Sequence, residues 1–246
     1  MKIMGVIPAR YKSSRLPGKP LADIHGKPMI WWTYHQALQA KELDDLVVAV
    51  DDDIVENVCI NYGIKYIRTL STHRTGVERL SEVSLKTNAD MYILIQGDEP
   101  LIEPEIIDMM AKKVRSDSVN SICVHTFRTP IKSPVDAVNP TIIRIVTNLK
   151  DKILFASRGI IPYPRSAIDF DYCKTVGIYA YPRIVLLDYN NLTMGPLEKI
   201  EEHDIIRLLE NDIPIYAYLC ETDTISVDTQ KDLERVRDII VYDKRI

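Results

Sequence analysis

Residues 3–20 read Ile3-Met4-Gly5-Val6-Ile7-Pro8-Ala9-Arg10-Tyr11-Lys12-Ser13-Ser14-Arg15-Leu16-Pro17-Gly18-Lys19-Pro20, a short apolar run followed by a turn rich in cations. The run Ile3–Ile7 has no polar face, which predicts a strand covered on both sides and closed by Pro8. The same unit recurs downstream. Leu46–Val50 ends in Asp51-Asp52-Asp53, Ile64–Ile67 is a shorter copy, and Met91–Ile95 runs into Gln96-Gly97-Asp98-Glu99-Pro100. Helical stretches lie between: Pro28 to Ala40 with proline at a favourable first position, then up to Tyr62, Thr75 to Lys86, and Pro104 to Ser116. Strands alternating with such helices predict βαβ units in a mostly parallel sheet. Right-handed crossovers gather the strand C-termini on one edge, where open α/β sheets bind ligands.

From about residue 120 the pattern becomes strand after strand, over 120–128, 141–148, 153–158 and 173–181, with more β-branched and aromatic residues. This reads as an antiparallel excursion covering one side of the sheet and offering an oligomer surface. A helix over Leu197–Asn211, a strand over Pro214–Leu219 and a closing helix over Thr229–Val241 return to the α/β pattern. No internal repeat, low-complexity stretch or linker-like composition divides the chain, so the expectation is one α/β domain with a β-rich insertion.

The composition excludes several classes. In 246 residues, 31 Lys and Arg stand against 35 Asp and Glu, a net charge of −4, and 46% are hydrophobic. Mild acidity argues against general nucleic-acid binding, and no apolar run reaches the ~20 residues that cross a bilayer. The N-terminus meets charge too soon for a secretory signal. Cys59, Cys123, Cys173 and Cys220 form no CxxC pair and read as free thiols in a reducing compartment. A cytoplasmic protein without nucleic-acid or membrane partners is the expectation.

Three segments carry candidate chemistry. The turn after the first strand brings Arg10, Lys12, Arg15 and Lys19 together with Ser13 and Ser14. Phosphates want such a set: hydroxyl and backbone donors, guanidinium forks and a lysine point charge. The plainer reading is a solvated basic loop, but the ligand edge favours the first. Neither GxGxxG nor GxxxxGK[ST] occurs, which removes most support for a dinucleotide-binding dehydrogenase or a P-loop NTPase. Asp98, after Met91–Ile95, is placed to hold Mg²⁺, which takes one or two carboxylates plus substrate phosphates; a simple turn is the alternative. Asp228 precedes the closing helix, where an N-cap role is the plainer one. The five histidines, at 25, 35, 73, 125 and 203, are scattered and read as surface or satisfied core residues. Asp51-Asp52-Asp53 reads as a strand end followed by a helix N-terminus.

Taken together, the segments resemble the 3-deoxy-manno-octulosonate (Kdo) cytidylyltransferases over nearly the whole chain. The motifs are IPARYKSSRLPGKPLADIHGKPMI, HRTGVERLSEV, ILIQGDEPLI, FASRGIIPYPR, VGIYAY, GPLEKIE and VDTQKDLERVR. The resemblance implies a three-layer nucleotide-diphospho-sugar transferase fold, Rossmann-like, with a CTP-binding core over 1–119 and 197–246. It implies an acceptor-binding and dimerisation part over 120–196, and a homodimer. It also implies transfer of CMP from CTP to Kdo or a related acidic sugar with Mg²⁺, releasing pyrophosphate, in surface polysaccharide or lipopolysaccharide synthesis.

Carried over by position, Ala9, Arg10, Ser13, Arg15, Lys19, Thr75, Gly76 and Gln96 match the CTP site. Arg79, Gln96, Arg158, Thr175, Tyr179, Asp204 and Ile205 fall on the acceptor side, and Asp98 and Asp228 match the metal carboxylates. Arg10 and Lys19 join Asp98 and Asp228 as the catalytic set. The departures fall on the acceptor side. Thr175 stands where the family has histidine, and Asp204-Ile205 where it has Glu-Gln, so a donor and an acceptor for a polyhydroxy sugar are lost. Two alternatives therefore stay open: a different small acidic acceptor (amino-Kdo, another 2-keto acid sugar, a phosphonate- or phosphate-like acid), or a non-catalytic CTP-binding homologue.

Overall fold

The first strand explains the layering. In β1 (Ile3–Ala9), Ile3, Ile7 and Ala9 point into one core and Met4 and Val6 into another. Both faces are apolar, so both must be covered, and each fully buried Val or Ile contributes about 1.5–3 kcal/mol relative to exposure. The computed structural model describes residues 1–12, 16–116, 122–165, 171–222 and 224–242.

After β1 the chain makes a 3-10 turn (Lys19–Leu21) and a small hairpin, β2 (Asp23–Ile24) and β3 (Lys27–Pro28). His25 and Gly26 between them both have positive φ, 50° and 80°, as a tight two-residue hairpin turn requires. Then follow α1 (Met29–Ala37), β4 (Asp45–Val50), α2 (Asp53–Asn61), β5 (Tyr66–Arg68), α3 (Gly76–Lys86), β6 (Met91–Ile95) and α4 (Pro104–Arg115). The second half holds β7 (Val124–Pro130), α5 (Pro134–Val138), β8 (Arg144–Thr147), β9 (Ile153–Ser157), β10 (Cys173–Pro182) and α6 (Arg183–Asp188). It ends with α7 (Pro196–Glu201), α8 (Ile205–Glu210), β11 (Ile215–Leu219) and α9 (Gln230–Tyr242).

The main sheet has the order β11-β7-β10-β6-β1-β4-β5. Neighbours are parallel except β10, which runs antiparallel to both β6 and β7. Helices α1, α2 and α4 cover one face through Ile30, Val55, Ile107 and Met110. The other is covered by α3, α6 and α8 through Leu80, Val83, Leu186 and Ile206. A third cluster packs α9 on the hairpin through Ile24, Val227, Leu233 and Val236. The three-layer, mostly parallel fold read from the sequence is thus present.

Several sequence expectations change in detail. Pro8 does not close the first strand. It lies beyond Val6, the last residue paired with β6, and stays in register with Ala49 of β4, so its missing N–H breaks only an open side. The excursion does not simply cover the sheet: β7 and β10 are integral strands of it, and only β8 and β9 leave the main path. The helix expected over 197–211 is broken into α7 and α8, because Glu202 takes a left-handed conformation with φ 50°. The strands expected over 120–128 and 141–148 begin at Val124 and Arg144, with residues 120–121 outside those described.

Candidate active site

At the C-terminal edge of β1 and β6 lies a cleft of about 380 Å³. Its walls come from three loops: Arg10, Lys12 and Lys19 after β1; His73, Arg74, Thr75, Gly76 and Arg79 around the start of α3; and Gln96, Gly97 and Asp98 after β6. Ligand binding at such an edge follows from the topology.

Each loop is fixed by local chemistry. Gly18 adopts φ 66°, and its N–H donates to the Tyr11 carbonyl at 3.3 Å, which folds Lys19 back over the sheet. Thr75 caps α3, its hydroxyl accepting from the Glu78 N–H at 3.2 Å. At Gly97 a Cβ would fall 2.5 Å from the Pro8 carbonyl oxygen, so only glycine lets the β6 loop lie against the end of β1. The Val227 N–H donates to the Asp98 carbonyl at 2.8 Å, tying the segment before α9 to the β6 loop.

The electrostatic centre is Lys19. Its ammonium lies 2.5 Å from Asp98 Oδ2 and 3.0 Å from Asp228 Oδ1. Burial works against the charge on Lys19, but the two carboxylates, Asp98 foremost, outweigh it and hold the pKa above its ordinary value. The pairing therefore favours the charged form of Lys19. The Asp228 carboxylate faces Lys19, and at the entry to α9 the Thr229 hydroxyl accepts from the Asp232 N–H at 3.3 Å while the Asp232 carboxylate accepts from the N–H groups of Asp228 (3.1 Å) and Thr229 (2.8 Å). Two carboxylates converge on one cationic nitrogen, and carboxylate oxygens are hard donors of the kind Mg²⁺ takes. Among the described residues no group of three or more His, Cys, Asp or Glu could hold a metal, so the remaining ligands would be phosphate oxygens and water.

Arg79 lies in the cleft floor, 2% exposed, with Nη2 2.7 Å from Asp51 Oδ2 and Nη1 donating to the Thr69 hydroxyl at 2.8 Å. Asp51 is thus a buried partner of Arg79, while Asp52 caps α2. His73 pairs with Glu82 at 2.5 Å. Burial raises the Glu82 carboxyl, but hydrogen bonds from Lys86, the Leu70 N–H and His73 prevail and bring it down to about 2.

The structure thus brings Arg10, Lys19, Thr75, Gly76, Arg79, Gln96 and Asp98 to one cleft, with Asp228 joined through Lys19. Ala9 ends β1, buried beneath it. Ser13 and Arg15 lie outside the described residues. The other acceptor-side residues are not part of this lining. Arg158 donates to the carbonyls of Glu201 (2.8 Å), Pro140 (3.1 Å), Thr141 (3.3 Å) and Glu202 (3.4 Å). The Tyr179 hydroxyl donates to Thr175 Oγ1 at 2.8 Å, and burial pushes the phenol pKa up. Ile205 is 1% exposed within the core. Burial raises the Asp204 carboxyl against the opposing pull of His203. Sequence reasoning did not single out Arg74, Gly97 or the partnership of Arg207 with Glu78. The Thr75-x-x-Glu78 capping-box spacing was the signal available for Glu78.

The chain belongs to the cytidylyltransferase family, whose model matches residues 4–238. Among curated relatives, the 3-deoxy-manno-octulosonate cytidylyltransferase of Escherichia coli is 41% identical over 242 residues, covering 98% of this chain and 97% of that protein. The enzyme of the same name from Fusobacterium nucleatum is 39% identical, with 96% of each covered. A solved structure of CMP:2-keto-3-deoxy-manno-octonic acid synthetase complexed with CTP superposes with a TM-score of 0.92 at 42% identity, covering 98% of this chain and 99% of that one. A cytidylyltransferase from Leptospira borgpetersenii, 20% identical with a TM-score of 0.66, shares the fold. The resemblance drawn from the motifs is borne out.

Proposed function

We propose that this chain is a CTP-dependent cytidylyltransferase that transfers CMP to 3-deoxy-manno-octulosonate and releases pyrophosphate. The observation that carries the reading is Lys19 held between Asp98 and Asp228 in the edge cleft, in a chain 42% identical over its length to a synthetase solved with CTP. Arg10, Lys12 and Lys19 supply the positive charge a triphosphate needs, and Thr75-Gly76 place the start of helix α3 beside it. The sugar's C2 hydroxyl gives its proton to solvent water and its oxygen bonds to the α-phosphorus as the bond from that phosphorus to the α,β-bridging oxygen breaks, with the electron pair leaving on pyrophosphate. Asp98 and Asp228 would hold Mg²⁺, which when bound offsets charge on the phosphates. Arg10 and Lys19 stabilise the same developing charge.

The test is pyrophosphate release from CTP with 3-deoxy-manno-octulosonate and Mg²⁺, with ATP, GTP and UTP as controls. No release in the presence of CTP and this acceptor would overturn the reading. A second reading, a related acidic acceptor, has its own support: Ile205 is buried and offers no hydrogen bond, and Thr175 is engaged by Tyr179. Amino-substituted, other 2-keto and phosphonate acids in the same assay separate the two. The non-catalytic alternative is disfavoured by two carboxylates converging on one cation. We further propose a homodimer, supported by the exposed apolar side chains Leu149, Leu154 and Tyr163 in the β-rich part.

A further inference from the structure

Four charged side chains connect the cleft to α7 and α8. Glu198 of α7 and Arg207 of α8 make a two-pronged pair, Nε to Oε2 2.8 Å and Nη2 to Oε1 2.6 Å. The same Nη2 lies 3.3 Å from Glu78 Oε1 in α3, and the guanidinium sits 4.8 Å over the buried Tyr189 ring. On its other side Glu78 accepts from Arg74 through Nη2 (2.7 Å), Nε (3.2 Å) and the backbone N–H (2.8 Å). Arg74 lines the cleft, and its Nη1 lies 3.8 Å from Met194 Sδ, in the segment that leads into α7.

The charge count gives this line a direction. Glu78, Glu198 and Arg207 are all buried, two negative charges against one positive. Arg74 balances the set, yet its side chain is 61% exposed and faces the cleft. A buried ion that loses its partner is strongly disfavoured, so Glu78 constrains where Arg74 can go. Burial raises the Glu78 carboxyl, but the hydrogen bonds from Arg74 and the charges of Arg74 and Arg207 outweigh it. A triphosphate in the cleft brings new negative charge to the one member of the four that solvent reaches, and fixing Arg74 fixes Glu78 and Arg207 behind it.

We propose that Arg74 and Arg207, joined through Glu78, are positioning residues that couple occupancy of the cleft to the order of α7 and α8. That segment carries Asp204 and Ile205, so nucleotide bound on one side stiffens the part of the fold assigned to the acceptor on the other. The inference rests on the reading of the cleft as the CTP site.

The test is amide hydrogen exchange over residues 196–210, with and without CTP at saturation fixed by calorimetry. In the wild-type protein, exchange there slows about tenfold on adding CTP, within the usual range of coupling between sites. In Arg74→Gln at equal saturation it slows less than about twofold. An Arg207→Lys variant keeps the charge but loses the two-pronged geometry; its acceptor KM rises or its kcat falls several-fold while the CTP KM stays within about twofold. Unchanged exchange over 196–210 in CTP-saturated wild-type protein overturns the coupling, as does equal slowing in Arg74→Gln. Should Arg207→Lys fail to fold, the exchange comparison decides alone. If calorimetry detects no CTP binding, it is the assignment of the cleft that fails.

Discussion

At the scale of single residues the site depends on where a few polar atoms meet. Asp98 receives the shortest contact of Lys19 and is held from behind through its own carbonyl. Asp98→Asn keeps the shape and removes the charge, so we expect kcat to fall about a hundredfold or more, equivalent to ~3 kcal/mol of lost stabilisation. Thermal melting should move by no more than a few degrees; wild-type turnover by the folded variant would remove Asp98 from the reaction. Gly97→Ala tests a different kind of constraint. Its methyl group would meet a backbone oxygen, which cannot swing aside as a side chain can, so we expect about 1–3 kcal/mol of destabilisation in urea titrations. Much of this was legible beforehand, because Arg10, Lys19, Asp98 and Asp228 are set by type and position after strands. Arg74 was not, because its role comes from a carboxylate that only the folded α3 turns toward it.

At the scale of elements, helix ends do most of the positioning. Asp232 gathers the N–H groups of Asp228 and Thr229 at the start of α9, and Asp228 in turn faces Lys19. Asp232→Ala should cost about 1 kcal/mol of stability and raise the Mg²⁺ concentration needed for half-maximal rate; an unchanged Mg²⁺ requirement would separate the cap from the site. In α3, Glu82 joins Lys86, His73 and the Leu70 N–H. Because its folded-state pKa is depressed to about 2, its contribution is fully present above the unfolded value near 4.5 and is lost as pH falls through 2. Discounted for the half-exposed Lys86, that contribution is about 1–3 kcal/mol. Glu82→Gln should therefore melt below wild type at pH 7, with the gap closing toward pH 2–3; a gap independent of pH would rule out the charge as its cause. Sequence periodicity located α3 and β6 to within a residue. It ran α7 and α8 together, because nothing in the pattern of Leu197 to Asn211 signals that Glu202 turns left-handed.

For the whole molecule, the decisive fact is that one sheet serves two halves of the chain. Alternation of buried strands and helices revealed the parallel half, whose order follows from local crossovers. The antiparallel insertion of β10 between β6 and β7 was hidden, because pairing between residues 43 to 91 positions apart leaves no local period. If the exposed apolar surface of the β-rich part joins two copies, sedimentation should give twice the chain's mass, and Leu154→Glu should reduce it to the monomer. A wild-type monomer at micromolar concentration would dismiss the dimer.

The bond from Val227 to Asp98 also ties two distant stretches of chain to one another. Asp98 follows a central strand, whereas Asp228 precedes α9, which docks on the hairpin rather than on the main sheet. Local fraying of α9 would therefore part the two carboxylates while the sheet stays intact, so a preparation could keep its strand content and lose the pairing with Lys19.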